Sequence, residues 1–210
     1  MKKIIQATVI AFLITVFIPA CEDSGSLGDG HDFGDNNHMV CVALGDSITE
    51  GHGLSDAETY PSQLASFLGK TVINEGNGGE NSSGGASRVS GVLKSHKPGF
   101  LLILYGANDL LHDVDQASTI SALRSIIQTA KNNQTIPVIA TLTPMTDSYI
   151  LWAGGVEELN IKIRSLASET GTTLVDLESA FGDGSGLMAE GLHPNAQGAY
   201  LMAQCFADVF

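Results

Sequence analysis

A serine hydroxyl is a poor nucleophile until a base takes its proton. A histidine titrating near neutrality is a suitable base. This sequence offers such a pair: Ser47 in Gly45-Asp46-Ser47-Ile48-Thr49, and His193 in Glu190-Gly191-Leu192-His193-Pro194. A carbonyl attacked by the serine becomes an oxyanion, which needs preorganised donors. The Ser47 backbone N–H, the Gly79 N–H in Asn74-Glu75-Gly76-Asn77-Gly78-Gly79-Glu80, and the Asn108 side-chain amide in Gly106-Ala107-Asn108-Asp109 are the candidates. Glycine at position 79 lets the backbone approach a substrate closely. Glu190, three residues before His193, is the nearest acid to orient the base. These are the parts of acyl transfer. The G-x-S-x-G elbow of another hydrolase class is absent from the sequence. So are C-x-x-C spacing and the Asp/His clusters a metallophosphoesterase would need.

Each cluster follows an apolar run. Met39 to Leu44, Thr71 to Asn74, Phe100 to Tyr105, Ile136 to Thr141 and Thr172 to Val175 read as strands. Between them lie helix-length segments: Tyr60 to Leu68, Ser87 to Ser95, Gln116 to Lys131 and Val156 to Ser168, with Asn195 to Val209 closing the chain. Ile120, Leu123, Ile127 and Ala130 recur at helical spacing, and Asp115 can cap that helix. Thr59 can cap the first helix, where Pro61 is tolerated in the opening turn. Strict alternation of strand and helix implies an α/β fold with a parallel sheet covered on both faces. Near-continuous apolar strands agree, since such strands are buried on both sides. Ligands bind beyond the carboxyl ends of the strands in such sheets, and the polar clusters all lie on that edge.

In sequence order, Gly45-Asp46-Ser47, Gly79, Gly106-x-Asn108-Asp109 and His193-Pro194 resemble the four blocks of the GDSL, or SGNH, hydrolase family. The Ser, Gly, Asn and His of that name map onto Ser47, Gly79, Asn108 and His193. Gly51-His52-Gly53-Leu54 with Glu58-Thr59-Tyr60-Pro61 is similar to the bacterial arylesterase, thioesterase and lysophospholipase subgroup. The resemblance spans residues 39–210. It implies a three-layer α/β/α sandwich, flavodoxin-like, with a five-stranded parallel sheet. It also implies ester hydrolysis through an acyl-serine intermediate, with no metal or cofactor. The family has Asp-x-x-His-Pro where this chain has Glu190-x-x-His193-Pro194. One extra methylene moves the carboxylate by about 1.5 Å. The triad is then Ser-His-Glu, or Glu190 points elsewhere and leaves a dyad.

The N-terminus reads as an export signal. Lys2 and Lys3 precede a mostly apolar run, Ile4 to Ile18, too short for a membrane span. It ends in Ile18-Pro19-Ala20-Cys21, which resembles a bacterial lipobox, with Pro19 where a small residue is usual. Residues 1–21 are therefore expected to be a signal peptide with Cys21 lipidated, and the protein to be a lipoprotein of the cell envelope. Residues 22–38, rich in Gly, Asp, Asn and Ser, read as a flexible linker. The hydrolase domain is expected over residues 39–210. The chain has 210 residues, 10 basic and 23 acidic, for a formal charge of −13. Such a surface repels phosphate backbones and anionic lipid heads, so nucleic acid is excluded as a partner. The expected partner is a small-molecule or lipid ester, and the membrane is met only through the anchor; a monomer is expected.

The remaining polar residues read as structural. Asp46, Asp109 and Asp176 should satisfy loop N–H groups. His52, His96 and His112 read as surface residues, with His52 and His112 in loops on the active edge, and Arg88 reads as a solvated helix residue or as a partner for a substrate carboxylate or phosphate. Cys41 and Cys205 read as small hydrophobes rather than a disulfide. Residues 143–155, with Met145, Tyr149, Ile150, Leu151 and Trp152, are placed to wall an acyl pocket. The other readings of the same cleft are a sugar O-deacetylase, an acyltransferase and a catalytically silent binding module.

Overall fold

A computed structural model describes residues 26–210. The expected signal peptide and Cys21 lie outside the described residues. Five parallel strands form one sheet in the order β2-β1-β3-β4-β5. They are β1 (Asn37–Gly45), β2 (Thr71–Gly76), β3 (Pro98–Leu104), β4 (Ile136–Ala140) and β5 (Thr173–Val175). The helices are α1 (Ser47–Glu50), α2 (Tyr60–Leu68), α3 (Ser82–His96), α4 (Ala107–Leu111), α5 (Gln116–Asn132), α6 (Ala153–Thr170), α7 (Leu177–Phe181) and α8 (Ala196–Ala207). Right-handed crossovers place α3, α5 and α6 side by side on one face, and α2 and α8 together on the other. The expected α/β sandwich is the observed one.

The central strands explain the layering. Every residue of β3 is buried, as are Cys41 to Gly45 of β1, because helices cover both faces. Leu101, Leu102, Ile103 and Leu104 alternate between the two helical layers and join them to one core. Asp115 caps α5 by accepting from the Ser118 N–H. Thr59 stands at the N-cap position of α2, but its hydroxyl donates to the Asp56 carbonyl at 3.0 Å instead and lies 3.1 Å from the Ser62 hydroxyl. Cys41 and Cys205 are free thiols.

Residues 26–38 correct the expectation of a flexible linker. Leu27 donates its N–H to the Phe210 carbonyl at 3.1 Å, and Asn36 Nδ2 reaches the Asn133 carbonyl at 2.5 Å. Phe33 packs edge-on against Phe100, which in turn meets Phe210. The first strand opens at Asn37, paired with Pro98, two residues before the boundary read from the sequence. Leu27 and Phe33 are anchors enough, since partners for both wait at the amino end of the sheet. That end is thereby closed, opposite the end where the polar clusters gather.

Candidate active site

The strand order reverses between β1 and β3, and ligands bind at such a switch point beyond the carboxyl ends. Gly45 pairs with Gly76 on one side and Leu104 on the other, so β1, β2 and β3 end level. The segments that follow them carry Ser47, Gly79 and Asn108.

Ser47 opens α1. Asp46 caps that turn, its Oδ1 accepting from the Ile48 N–H at 3.0 Å. The cap turns the chain sharply and leaves Ser47 at the head of the helix. Its hydroxyl lies 2.9 Å from His193 Nε2. On the other side of the ring, His193 Nδ1 is hydrogen-bonded to Glu190 Oε1, which also accepts the His193 backbone N–H at 3.3 Å. A carboxylate on Nδ1 sets the tautomer: Nδ1 carries the proton and donates it, and Nε2 is free to accept from Ser47. The ring is largely buried, with 12% of its side chain exposed, whereas Glu190 is 46% exposed.

The loop that carries the base is held on both flanks. The Ala189 N–H donates to the His193 carbonyl at 2.8 Å, and Met188 bridges Pro194. The Thr146 N–H donates to the Gly191 carbonyl at 2.8 Å. Gly191 has φ +99°, and a Cβ there would sit 2.2 Å from the Thr146 carbonyl oxygen, so only glycine fits this crossing.

The three candidate oxyanion donors stand on the segments that follow β1, β2 and β3. Gly79 has φ +76° and open space where a Cβ would be. Among the described residues neither its N–H nor that of Ser47 donates to a partner, so both are free for a ligand. Asn108 sits in the first turn of α4, and its Nδ2 donates to the Glu80 carbonyl at 3.3 Å. That bond fixes the amide between α4 and the residue after Gly79, and the Asp46 carboxyl is a second polar neighbour of the same side chain. Asp109 fixes α4 from behind, accepting from the Ser82 N–H, the Ser82 hydroxyl and the Thr119 hydroxyl. Asp176 accepts from Arg164, Thr141 and the Ser179 N–H. Asp46, Asp109 and Asp176 are thus acceptors of structural bonds.

His52 is exposed in a loop on the active edge, as expected, with its ring 4.4 Å from the His193 ring and tilted by 37°. Two residues depart from the sequence reading. Arg88 is not a solvated helix residue. It is half-buried and bonded to Glu75, Glu80, Tyr105 and Gly45. His96 is paired with Glu75 at 2.8 Å. The partners of each come from distant segments, which no local pattern signals.

Asp46 holds an unusual proton. Its Oδ2 is buried without a hydrogen-bond partner among the described residues. Burial pushes the carboxyl up to about 7; the Ile48 N–H opposes this and the charge of Asp109 adds to it. The folded chain keeps this proton between about pH 4 and about pH 7, where the unfolded chain has released it. Wild type therefore loses stability from this group as pH rises through that window. Asp46→Asn keeps the capping oxygen and cannot ionise. Its melting temperature relative to wild type is expected to rise from about pH 4 to about pH 7 and then level off. A pH-independent difference in paired thermal melts would refute the buried proton.

A Ser-His-carboxylate chain at the switch point of an open parallel sheet is the arrangement of a serine hydrolase. Residues 43–201 match the model of the GDSL-like Lipase/Acylhydrolase family, and the chain belongs to that family, one of ester-bond hydrolases. It is 32% identical over 100 residues to the thioesterase 1/protease 1/lysophospholipase L1 of Escherichia coli K12, a match covering 47% of this chain and 48% of that protein. The chain thus spans about half the length of that relative. It is 26% identical to the esterase TesA of Pseudomonas aeruginosa, over 74% of this chain and 80% of that one. Its fold matches a member of the lipolytic protein G-D-S-L family from Veillonella parvula with TM-score 0.73 at 22% identity, covering 81% of this chain and 97% of the other.

Proposed function

We propose that this protein is a serine esterase that cleaves carboxylic esters through an acyl-serine intermediate. The observation that carries the reading is the continuous hydrogen-bonded line from Ser47 Oγ through His193 to Glu190. His193 Nε2 takes the Ser47 proton as Oγ attacks the acyl carbon, and Glu190 stabilises the imidazolium that forms. The oxyanion meets the Ser47 N–H, the Gly79 N–H and Asn108 Nδ2. Collapse expels the alcohol, which takes its proton from the imidazolium. Water then repeats the sequence with His193 as base, releasing the acid and restoring Ser47. No step calls for a cofactor.

The substrate is an arylester, lysophospholipid or acyl thioester rather than a sugar acetate. The 3-10 turn Asp147–Trp152 follows the Thr146–Gly191 contact directly and so adjoins the base loop. Ile150 and Leu151 stand 59% and 87% exposed on it. An apolar acyl chain leaving Ser47 has these side chains to lie against. Export on a Cys21 lipid anchor belongs to the same proposal and suits a lipid-derived ester.

The test is hydrolysis of p-nitrophenyl esters of graded acyl length by the purified protein. A medium- or long-chain optimum supports the apolar reading. A strict acetyl preference would favour the sugar O-deacetylase. Transfer of the acyl group to added alcohol in preference to water would mark an acyltransferase. Folded protein with no turnover on any ester would leave a silent binding module. Within the same assay, Asn108→Ala is expected to lower kcat roughly 100- to 1,000-fold. Equal kcat in variant and wild type would remove Asn108 from the oxyanion site.

A further inference from the structure

Arg88 gathers the ends of three strands onto one guanidinium. Its Nε donates to Glu80 Oε2 at 2.9 Å and Oε1 at 3.1 Å. Nη1 donates to Glu75 Oε2 at 3.0 Å. Nη2 reaches the Glu75 carbonyl at 2.6 Å, the Tyr105 hydroxyl at 2.9 Å and the Gly45 carbonyl at 3.4 Å. Gly45 ends β1 two residues before Ser47, Glu75 lies at the end of β2, and Tyr105 directly follows β3. Glu80 is the residue after Gly79, and its carbonyl receives Asn108 Nδ2.

The Glu80 side chain is bound just as fully. Tyr105 donates to its Oε2 at 2.5 Å and Asn77 Nδ2 to its Oε1 at 3.1 Å. Burial alone would raise the Glu80 carboxyl, but these bonds and Arg88 outweigh it and hold the acid below its usual range. Glu80 thus stays charged against a charged Arg88. A planar fork can satisfy these acceptors together, where a lysine would offer a single point of charge.

We propose that Arg88, acting through Glu80 and Tyr105, is a positioning residue that sets the spacing of the oxyanion donors Gly79 and Asn108 relative to Ser47. It touches no substrate. Its effect is on where the donors stand when the oxyanion forms, and so on kcat rather than on binding of the ester. This inference rests on the esterase assignment above, with Ser47 as nucleophile.

The experiment measures kcat and KM of Arg88→Gln, Glu80→Gln and Ser47→Ala beside wild type, with thermal melts of each. Glu80→Gln is isosteric, keeps the carbonyl that holds Asn108, and covers the case in which Arg88→Gln does not fold. Folded Arg88→Gln is expected to lose roughly 10- to 100-fold in kcat with KM within about twofold, the scale of an ångström-sized misplacement. Glu80→Gln should lose kcat in the same sense by a smaller factor. In an Asn108→Ala background the Arg88→Gln loss should shrink, because both changes act on the same donor; a purely structural role would leave the losses multiplicative. Wild-type kcat in folded Arg88→Gln or Glu80→Gln, a loss confined to KM, or full multiplicativity would each overturn the proposal while Ser47→Ala remains inactive. Turnover retained in Ser47→Ala would instead overturn the esterase assignment beneath it.

Discussion

Ser47→Ala is expected to lower kcat on an activated ester by about ten-thousandfold or more, the largest effect of any single change in this protein. Without Oγ no acyl-enzyme can form, and what remains is water attacking an ester held near two free N–H groups. KM should change little, because the hydroxyl adds little to ground-state binding. His193→Ala should fall to a similar floor. The double variant should lose little beyond either single one, since a nucleophile without its base and a base without its nucleophile are equally idle. Steady-state kinetics on the p-nitrophenyl panel read all three. A second signature is covalent: wild type mixed with an alkyl phosphonate ester should gain the mass of the phosphonyl group on the peptide containing Ser47, and Ser47→Ala should not. Turnover in Ser47→Ala within about tenfold of wild type would place the nucleophile elsewhere.

The parts of this site visible in the sequence were those whose meaning is local. Glu190 and His193 are three residues apart in one loop, so their pairing follows from spacing, and the structure shows the hydrogen bond between them. Strand β3 was legible because Phe100 to Leu104 is an unbroken apolar run that only a doubly covered strand can use. Helices α1, α4 and α7 were not, because one-turn helices have no periodicity to read. Two of them rest on local caps instead, Asp46 accepting from the Ile48 N–H and Asp176 from the Ser179 N–H. Arg88 was misread for another reason. Nothing in Gly84-Gly85-Ala86-Ser87-Arg88 announces partners in three other segments, whereas parallel pairing of β1 with β2 and β3 brings Gly45, Glu75 and Tyr105 to the same edge. Residues 26–38 were read from average composition, which two apolar side chains and a waiting aromatic cluster overrule.

Removal of Glu190 is the second large effect, and its size discriminates between triad and dyad. Glu190 Oε1 accepts from both the backbone N–H and Nδ1 of His193, so the acid fixes ring position and tautomer from within its own turn. Glu190→Ala frees the ring to rotate and removes the charge that steadies the imidazolium. Because Glu190 is 46% exposed, water can reach Nδ1 in its place. The loss in kcat is therefore expected at roughly 100- to 1,000-fold, short of the loss for a fully buried triad acid. Glu190→Gln should be no better than alanine. Its amide can donate to Nδ1, which selects the tautomer with the proton on Nε2 and blocks acceptance from Ser47. Glu190→Asp is the sharper test of the longer side chain this loop carries. Shortening by one methylene withdraws the carboxylate by about 1.5 Å, beyond hydrogen-bond reach of Nδ1 unless the loop follows. The loop is pinned by Gly191 against Thr146 and by Ala189 against His193 itself, so it cannot follow freely. Glu190→Asp is accordingly expected to recover only part of the activity lost in alanine, with KM near wild type in all three variants. A Glu190→Ala enzyme within about fivefold of wild-type kcat would show that His193 needs no acid, and the site would be a Ser-His dyad.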